Sequence, residues 1–322
     1  MAAAYPKPFL AIAQQIERLE ERGLDVGDPA NAESLLRQFG YYRLSGYWHP
    51  LRNAEFDVDA GKVVYHETFK PGASLQQAIA LAEFDRRLRS LVLSAIERVE
   101  VAMRVRLALL FGPRDTFAHR EAAQFYHKFT DLDPSTGRSR FDNWLARIDE
   151  NEGRSKERFA KHIRDKYGLP FPLWVSIEVW DFGMLSQAIG GMTVADQLAL
   201  SKPFGVTRTG VFPSWLRAIN HVRNICAHHS RLWNKSPSDQ PIPPRQGEIE
   251  LLDHLAPDSF AHTRLYAVAA TLQFLLRQID AAFAASWTAE LKAHLGTFPA
   301  IVGVSVGGTG FPTTWAAKPL WN

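Results

Sequence analysis

From Ser74 to Phe111 the chain carries one unbroken helical pattern, and no other feature restricts its fold as strongly. Leu75, Ile79, Phe84, Leu88, Leu91, Ala95, Val99, Met103 and Leu107 recur at helical spacing and form a wide apolar stripe. Ser74 is placed to cap the helix, and Gly112-Pro113 ends it. A stripe of this width requires other elements to cover it. The Glu83/Arg87, Asp85/Arg89 and Glu100/Arg104 pairs lie four residues apart and read as solvated support for the helix surface.

The same periodicity recurs along the chain, so an all-α fold is expected. Helices are expected over 10–22, 31–39 with Asn31 as cap, 119–129, 139–167, 173–190, 194–202, 211–234, 258–284 and 286–295. Val63, Val64 and Tyr65 are the best strand candidates. Pro170 and Pro172, Pro203 and Gly205, and the connector SPSDQPIPPRQG at 236–247 mark the breaks. The segment after Ile301 is irregular, but Phe311, Trp315, Leu320 and Trp321 suggest that it docks on the helices. The expected organisation is a single unit over 1–322: N-terminal helices and an aromatic segment in 1–73, core helices in 74–235, and C-terminal helices and tail in 248–322.

Composition narrows the function classes. With 37 Lys and Arg against 34 Asp and Glu, the net charge of +3 is too small to argue for polyanion binding globally, so any such site is local. Cys226 is the one cysteine, which excludes an intramolecular disulfide and a cysteine-based zinc site within one chain and fits a reducing cytoplasm. MAAAYPKPFL lacks the features of a leader, and no apolar run of about 18 residues occurs, so neither secretion nor membrane spanning is expected. No HExxH, paired-aspartate cluster or Gly-rich phosphate loop before a lysine is present, so neither a metal nor a cofactor is expected.

The densest chemistry lies in HVRNICAHHSRLWN, residues 221–234. On a helix over 211–234, Trp215, Ile219, Val222, Cys226 and Trp233 form one apolar side. Arg217, His221, Asn224, His228 and Arg231 form an opposite seam in which every member hydrogen-bonds. A histidine with an ordinary pKa near 6.5 is suited to take a proton from a ribose 2′-hydroxyl or give one to a leaving 5′-oxygen. Arginine supplies fixed charge for phosphoryl oxygens, and Asn224, one turn before His228, is placed to hold the imidazole tautomer. Five residues of helix put Arg223 about 140° round the axis from His228, on the flank of the seam. Cys226 reads as a small core residue rather than a nucleophile, His229 as a partly buried histidine, and Glu178 as an ion-pair partner rather than an acid–base group.

Arg223-Asn224-Ile225-Cys226-Ala227-His228 resembles the R-x4-6-H motif of HEPN-superfamily ribonucleases, and the surrounding NxCAHHxRLWN is similar to the signature of the Abi-like (AbiD/AbiF) branch of bacterial antiphage abortive-infection proteins. YYRLSGYWHP, FDRRLRSLVLSAIERVE, PLWVSIEVWDFGMLS and the terminal GFPTTWAAKPLW are similar to segments of that branch in the same order. RLSGYWH, RDTFAH and REAAQFYH also satisfy the short motif, but only 223–228 lies on a strongly amphipathic helix with more basic groups beside it.

The resemblance implies a HEPN-like helical bundle with extra terminal helices. It further implies a cytoplasmic, metal-independent endoribonuclease acting as a growth-arresting toxin and leaving 2′,3′-cyclic phosphate and 5′-hydroxyl ends. His228 would be the acid–base group, Arg223 the phosphate ligand and Asn224 the orienting group. Arg217, His221, Arg231 and Arg43 would contact RNA. HEPN motifs usually face each other across a dimer, so a homodimer with a composite cleft is expected. HEPN toxins silenced by tyrosine nucleotidylation carry tyrosine two residues after the motif histidine, whereas Ser230 stands here, which puts that control in doubt. The alternatives are a non-catalytic binder of a structured, regulatory RNA and a protein-interaction scaffold. The aromatic segment 41–50 reads first as packing and a lid, and second as a base-stacking surface through Tyr41, Tyr42, Tyr47 or Trp48 with Arg43 beside a phosphate.

Overall fold

The computed structural model describes residues 8–322. The first seven positions, on which the expectation of a missing leader largely rested, lie outside the described residues. Among the described residues the chain is all-α apart from one hairpin. α1 (Ile12–Glu21) and α2 (Pro29–Phe39) pair at the N-terminal end. Asp28, not Asn31, caps α2: its carboxylate accepts from the Asn31 N–H at 2.8 Å, and Pro29, which has no N–H to satisfy, opens the helix. Gly40, at φ 80°, provides the left-handed turn that separates α2 from α3 (Tyr41–Trp48). The aromatic segment is thus a helix of the body, not a lid.

The hairpin joins β1 (Arg52–Asp57) to β2 (Lys62–Phe69), antiparallel, with Glu55 opposite Val64 and Asp57 opposite Lys62. The strand expected at Val63–Tyr65 lies in β2. β1 was not legible, because RNAEFD has no β-branched residue and little alternation.

The long helix forms as expected. α4 runs Leu75–Phe111 from the Ser74 cap, whose hydroxyl accepts from the Gln77 N–H at 3.2 Å, and is about 55 Å long at 1.5 Å per residue. Of the expected stripe, all but the partly exposed Leu91 are buried. One pair assigned to solvent is instead part of the core: Asp85 and Arg89 are 0% and 4% exposed and bonded at 2.5 Å. Glu100–Arg104 is largely covered too, and Glu83 pairs with Arg86 rather than Arg87.

Several expected helices are broken. Over 118–130 the backbone makes two 3-10 turns and the short α5 (His127–Thr130), because Phe125 turns into a cluster with Phe111, Phe129, Phe141 and Trp144. The 139–167 pattern divides into α6 (Arg140–Arg154) and α7 (Arg158–Tyr167). That at 173–190 divides into α8 (Leu173–Ser176), a 3-10 turn and α9 (Phe182–Gly191), whose N-cap Asp181 accepts from Met184. α10 (Val194–Ser201) precedes α11 (Val211–Ala227). The 258–284 pattern divides into α12 (Ser259–His262) and α13 (Leu265–Ile279), and Asp280 then caps α14 (Ala281–Gly296).

α3, α11, α13 and α14 all pack on α4, and α9 packs on both α4 and α11. Trp287 donates its indole N–H to the Leu91 carbonyl at 2.8 Å, fixing α14 along the central helix. Phe311, Trp315, Leu320 and Trp321 are buried, so the tail docks as expected. Among the described residues no helix is long and apolar enough to cross a membrane.

Candidate functional site

α11 ends seven residues before its expected limit, and this break shapes the site. Its buried side, Trp215, Ile219, Val222 and Cys226, is the expected apolar stripe. After Ala227 the chain turns: Ser230 N–H bonds to the Ile225 carbonyl at 2.9 Å and His229 N–H to the Cys226 carbonyl at 3.0 Å. That pairing is a Schellman closure, with His229 in the left-handed position at φ 56° where glycine is usual. The polar seam therefore stops after Asn224, and His228 and Arg231 leave the helix surface. His229, expected to be partly buried, is exposed with His228.

The turn is braced from two helices. On α4, the Asp85 carboxylate accepts from the Tyr47 hydroxyl at 2.8 Å, from Arg89 at 2.5 Å, and from the N–H groups of Trp233 at 2.8 Å and Leu232 at 3.1 Å. Burial pushes this carboxyl above its ordinary range, opposed by Arg89 and these hydrogen bonds. Burial, with Asp85 beside it, also drives the Tyr47 hydroxyl up to about 12, so it stays a donor. Arg89 reaches the Ser230 carbonyl at 3.3 Å. On α3, the Gly46 carbonyl accepts from Arg231, and Arg43 donates to the His229 carbonyl at 2.9 Å, a cation at the negative end of α11. RLWN thus clamps the turn to α3 and α4.

His228 opens into a surface depression of about 660 Å³ that also presents Tyr42, Arg43, Ser45, His229, Arg231 and Lys235. Among the described residues no aspartate or glutamate lines it. Lys235 was missed by sequence reasoning, because on a helix continued to 234 it had no place on the seam; only the turn brings it beside His228. Tyr42 is 91% exposed and available for stacking. Tyr47 and Trp48 are buried, and Tyr41 packs edge-on against Trp48 with ring centroids 5.0 Å apart, so base stacking does not extend to Tyr47 or Trp48.

Arg223 points elsewhere. It lines a second depression, of about 520 Å³, with Glu100, Arg104, Glu178 and Asp181. There burial raises the Glu100 carboxyl, while Arg104 and Arg223 pull it down. Glu178 lies 3.5 Å from Arg104, in the ion-pair position expected of it. The Asn224 carboxamide accepts from Arg223 at 3.3 Å, so it engages the arginine rather than the imidazole it was expected to orient; only its backbone carbonyl meets His228, at the amide N–H. Arg217 is exposed on α11. His221 faces the proline-rich connector, with Nδ1 3.3 Å from the Ser238 hydroxyl. One chain therefore gathers His228, Arg43 and Arg231 together and leaves Arg223, Asn224, Arg217 and His221 apart from them.

Cys226 is 1% exposed, and burial pushes its thiol up to about 12, as befits a core residue. Among the described residues no group of three His, Cys, Asp or Glu side chains is arranged to hold a metal ion.

Comparison with curated proteins and with solved structures returns no match. A family model described as Abi-like protein matches residues 34–234, well over half of the chain. The match contains α3, the hairpin, α4, α11 and the RLWN clamp, and ends before α13, α14 and the tail. The chain belongs to the Abi-like protein family, which points to a role in abortive infection.

Proposed function

We propose that this protein is an RNA-directed toxin of abortive infection, a metal-independent endoribonuclease of the HEPN type whose acid–base group is His228. The supporting observation is the acid-free depression, where an exposed imidazole stands among Arg43, Arg231 and Lys235. A phosphodiester placed there finds donors and positive charge on more than one side and no carboxylate to repel it. His228 takes the 2′-hydroxyl proton, the oxygen attacks the adjacent phosphorus, and the P–O5′ bond breaks as the imidazolium returns a proton to the leaving 5′-oxygen. The products are a 2′,3′-cyclic phosphate and a 5′-hydroxyl. Arg223 lies in the neighbouring depression, so its role as phosphate ligand requires a second copy of the chain that brings the two depressions together in a homodimer.

Cleavage of RNA by the purified protein in EDTA tests this reading. It should persist there, stop with a 2′-deoxy nucleotide at the cut site, and be lost in His228→Ala and Arg223→Ala proteins that remain folded. Cleavage by a strict monomer would remove the composite site and leave Arg223 without a catalytic part.

The separation of Arg223 from His228 favours a second reading, a non-catalytic binder of structured RNA. A binder keeps its biological effect after His228→Ala, loses it when Arg43, Arg223 and Arg231 are removed together, and weakens steeply with salt.

A further inference from the structure

Between Arg154 and Tyr167 six Lys and Arg stand against Glu157 and Asp165, a net +4 that exceeds the +3 of the whole chain. A chain of small net charge can hold a polyanion only through a local excess of this kind. Most of that excess lies on α7.

α7 is fastened along one side. Ala160 is buried, and Arg164 turns back to donate to the Glu152 carbonyl at 2.8 Å and the Ser155 carbonyl at 3.3 Å. The other side is open. Arg158, His162 and Lys166 follow one another at four-residue spacing with Lys161 beside them, all exposed, in a row about 12 Å long at 1.5 Å per residue. Asp165 is the one acid among them. Among the described residues Lys156, Arg158, Lys161 and Lys166 form no ion pair, whereas Arg154 is held by Glu150 at 3.0 Å. Two aromatic rings flank the row. Tyr167 is 68% exposed, with the Lys166 ammonium 4.9 Å from its ring centroid, and Phe159 is 39% exposed.

This face is continuous with a depression already described. Arg154, Ser155 and Glu157, at the joint of α6 and α7, line the wall of the pocket that holds Arg223. A lipid surface fits the helix less well, because Ala160 is buried and Ile163 half-buried, which leaves no broad apolar face for a bilayer. We infer that α7 captures single-stranded RNA, with Arg158, Lys161 and Lys166 on its phosphates and an unpaired base stacked on Tyr167. The bases of a duplex stack on one another and are closed to a side-chain ring, so the strand is unpaired where it meets Tyr167. The inference rests on the RNA-directed reading above and adds the surface on which the strand is held beside Arg223.

Fluorescence anisotropy of the full chain with an unstructured 2′-O-methyl oligoribonucleotide of about 12 nucleotides tests it, since that probe cannot be cleaved and the readout is binding alone. Wild type should bind saturably. Replacing Lys161 and Lys166 together by Ala should reduce the slope of log affinity against log salt by about 1.4, two single-strand contacts at about 0.7 each. Tyr167→Ala should weaken binding about tenfold, and Tyr167→Phe, which keeps the ring, should restore it. All these side chains are exposed, so the melting temperature should not move. RNA bound equally well by wild type and the α7 variants would overturn the inference while leaving cleavage at His228 open; α7-dependent binding by a protein that never cuts would sustain the inference and remove the nuclease. A duplex of the same length bound as tightly, with no loss in Tyr167→Ala, would make α7 a general polyanion surface and overturn it. So would sedimentation with phosphatidylserine vesicles that is lost with the two lysines while RNA affinity is unchanged.

Discussion

Arg114–His119 and Arg223–His228 have the same R-x4-H spacing and opposite surroundings. His119 is 1% exposed, 5.9 Å from the Trp180 ring, with neither ring nitrogen partnered among the described residues. Burial, with Arg120 adding to it, drives its imidazole down to about 3, so it stays neutral. Arg114 is committed to Asp196 through bonds of 2.9 and 2.5 Å. That pair builds structure. His228 is exposed where α11 ends, in a depression lined by cations and free of acids. Spacing is common to both; the difference lies in whether the histidine falls where the chain packs inward or where a helix terminates at the surface.

The largest effect expected from this contrast is on RNA cleavage. His228→Ala should lower the cleavage rate by about 10²–10⁴-fold, the range for loss of a positioned acid–base group, with an unchanged melting temperature. His119→Gln should leave the rate near wild type and lower stability instead. The reverse pattern, activity lost with His119 and kept without His228, would break the comparison and move the candidate site.

Next comes the platform beneath His228. Asp85→Ala removes the acceptor shared by Tyr47, Arg89, Leu232 and Trp233 and leaves the Arg89 charge buried without its partner. Breaking a buried pair in this way costs about 3–5 kcal/mol, readable by urea unfolding. Glu83→Ala, on the opposite side of α4 in an exposed pair with Arg86, should change stability by less than about 1 kcal/mol. Equal effects would mean that Asp85 is no more than the solvated residue its i,i+4 spacing suggests.

That pair also shows how far the sequence could be read. Apolar periodicity located α4 to its cap and the buried side of α11, because burial of a stripe is a local property of the pattern. The same spacing rule placed Asp85 and Arg89 in solvent, because nothing local reveals that Tyr47 and the RLWN backbone converge on them from 38 to 148 residues away. Likewise His228 and Arg231 were given a helix face that ends at Ala227. His228 and Arg231 were legible in HVRNICAHHSRLWN and Arg43 in the aromatic segment; that these three meet, with Lys235 included and Arg223 turned aside, depended on a left-handed histidine that propensity does not foretell.

A smaller effect is expected from pH. The folded chain holds His119 neutral down to about 3, while the unfolded chain protonates it near 6.5. Between those values the unfolded state binds more protons, so stability is full above pH 6.5 and falls as pH drops, by as much as about 1.4 kcal/mol per pH unit. Urea midpoints taken from pH 7 to pH 5 should decline in wild type and flatten in His119→Gln. A slope unaltered by that substitution would assign the acid sensitivity to another group, such as the half-buried His254, whose imidazole burial lowers to about 4.

The smallest effect sharpens the contrast at its edge. Lys235 lines the His228 depression and forms no ion pair among the described residues, whereas the cation beside His119, Arg120, is paired with Asp149 and Glu152. If it touches one phosphate, Lys235→Ala should weaken RNA binding at low salt and reduce the slope of log affinity against log salt by about 0.7, the value for one contact on a single strand. Cleavage at saturating RNA should stay close to wild type, because a lost ground-state contact raises KM and leaves kcat in place. A fall in kcat instead would place the Lys235 ammonium against the oxygens that gain charge during the reaction, and the depression would then hold the transition state as well as the strand.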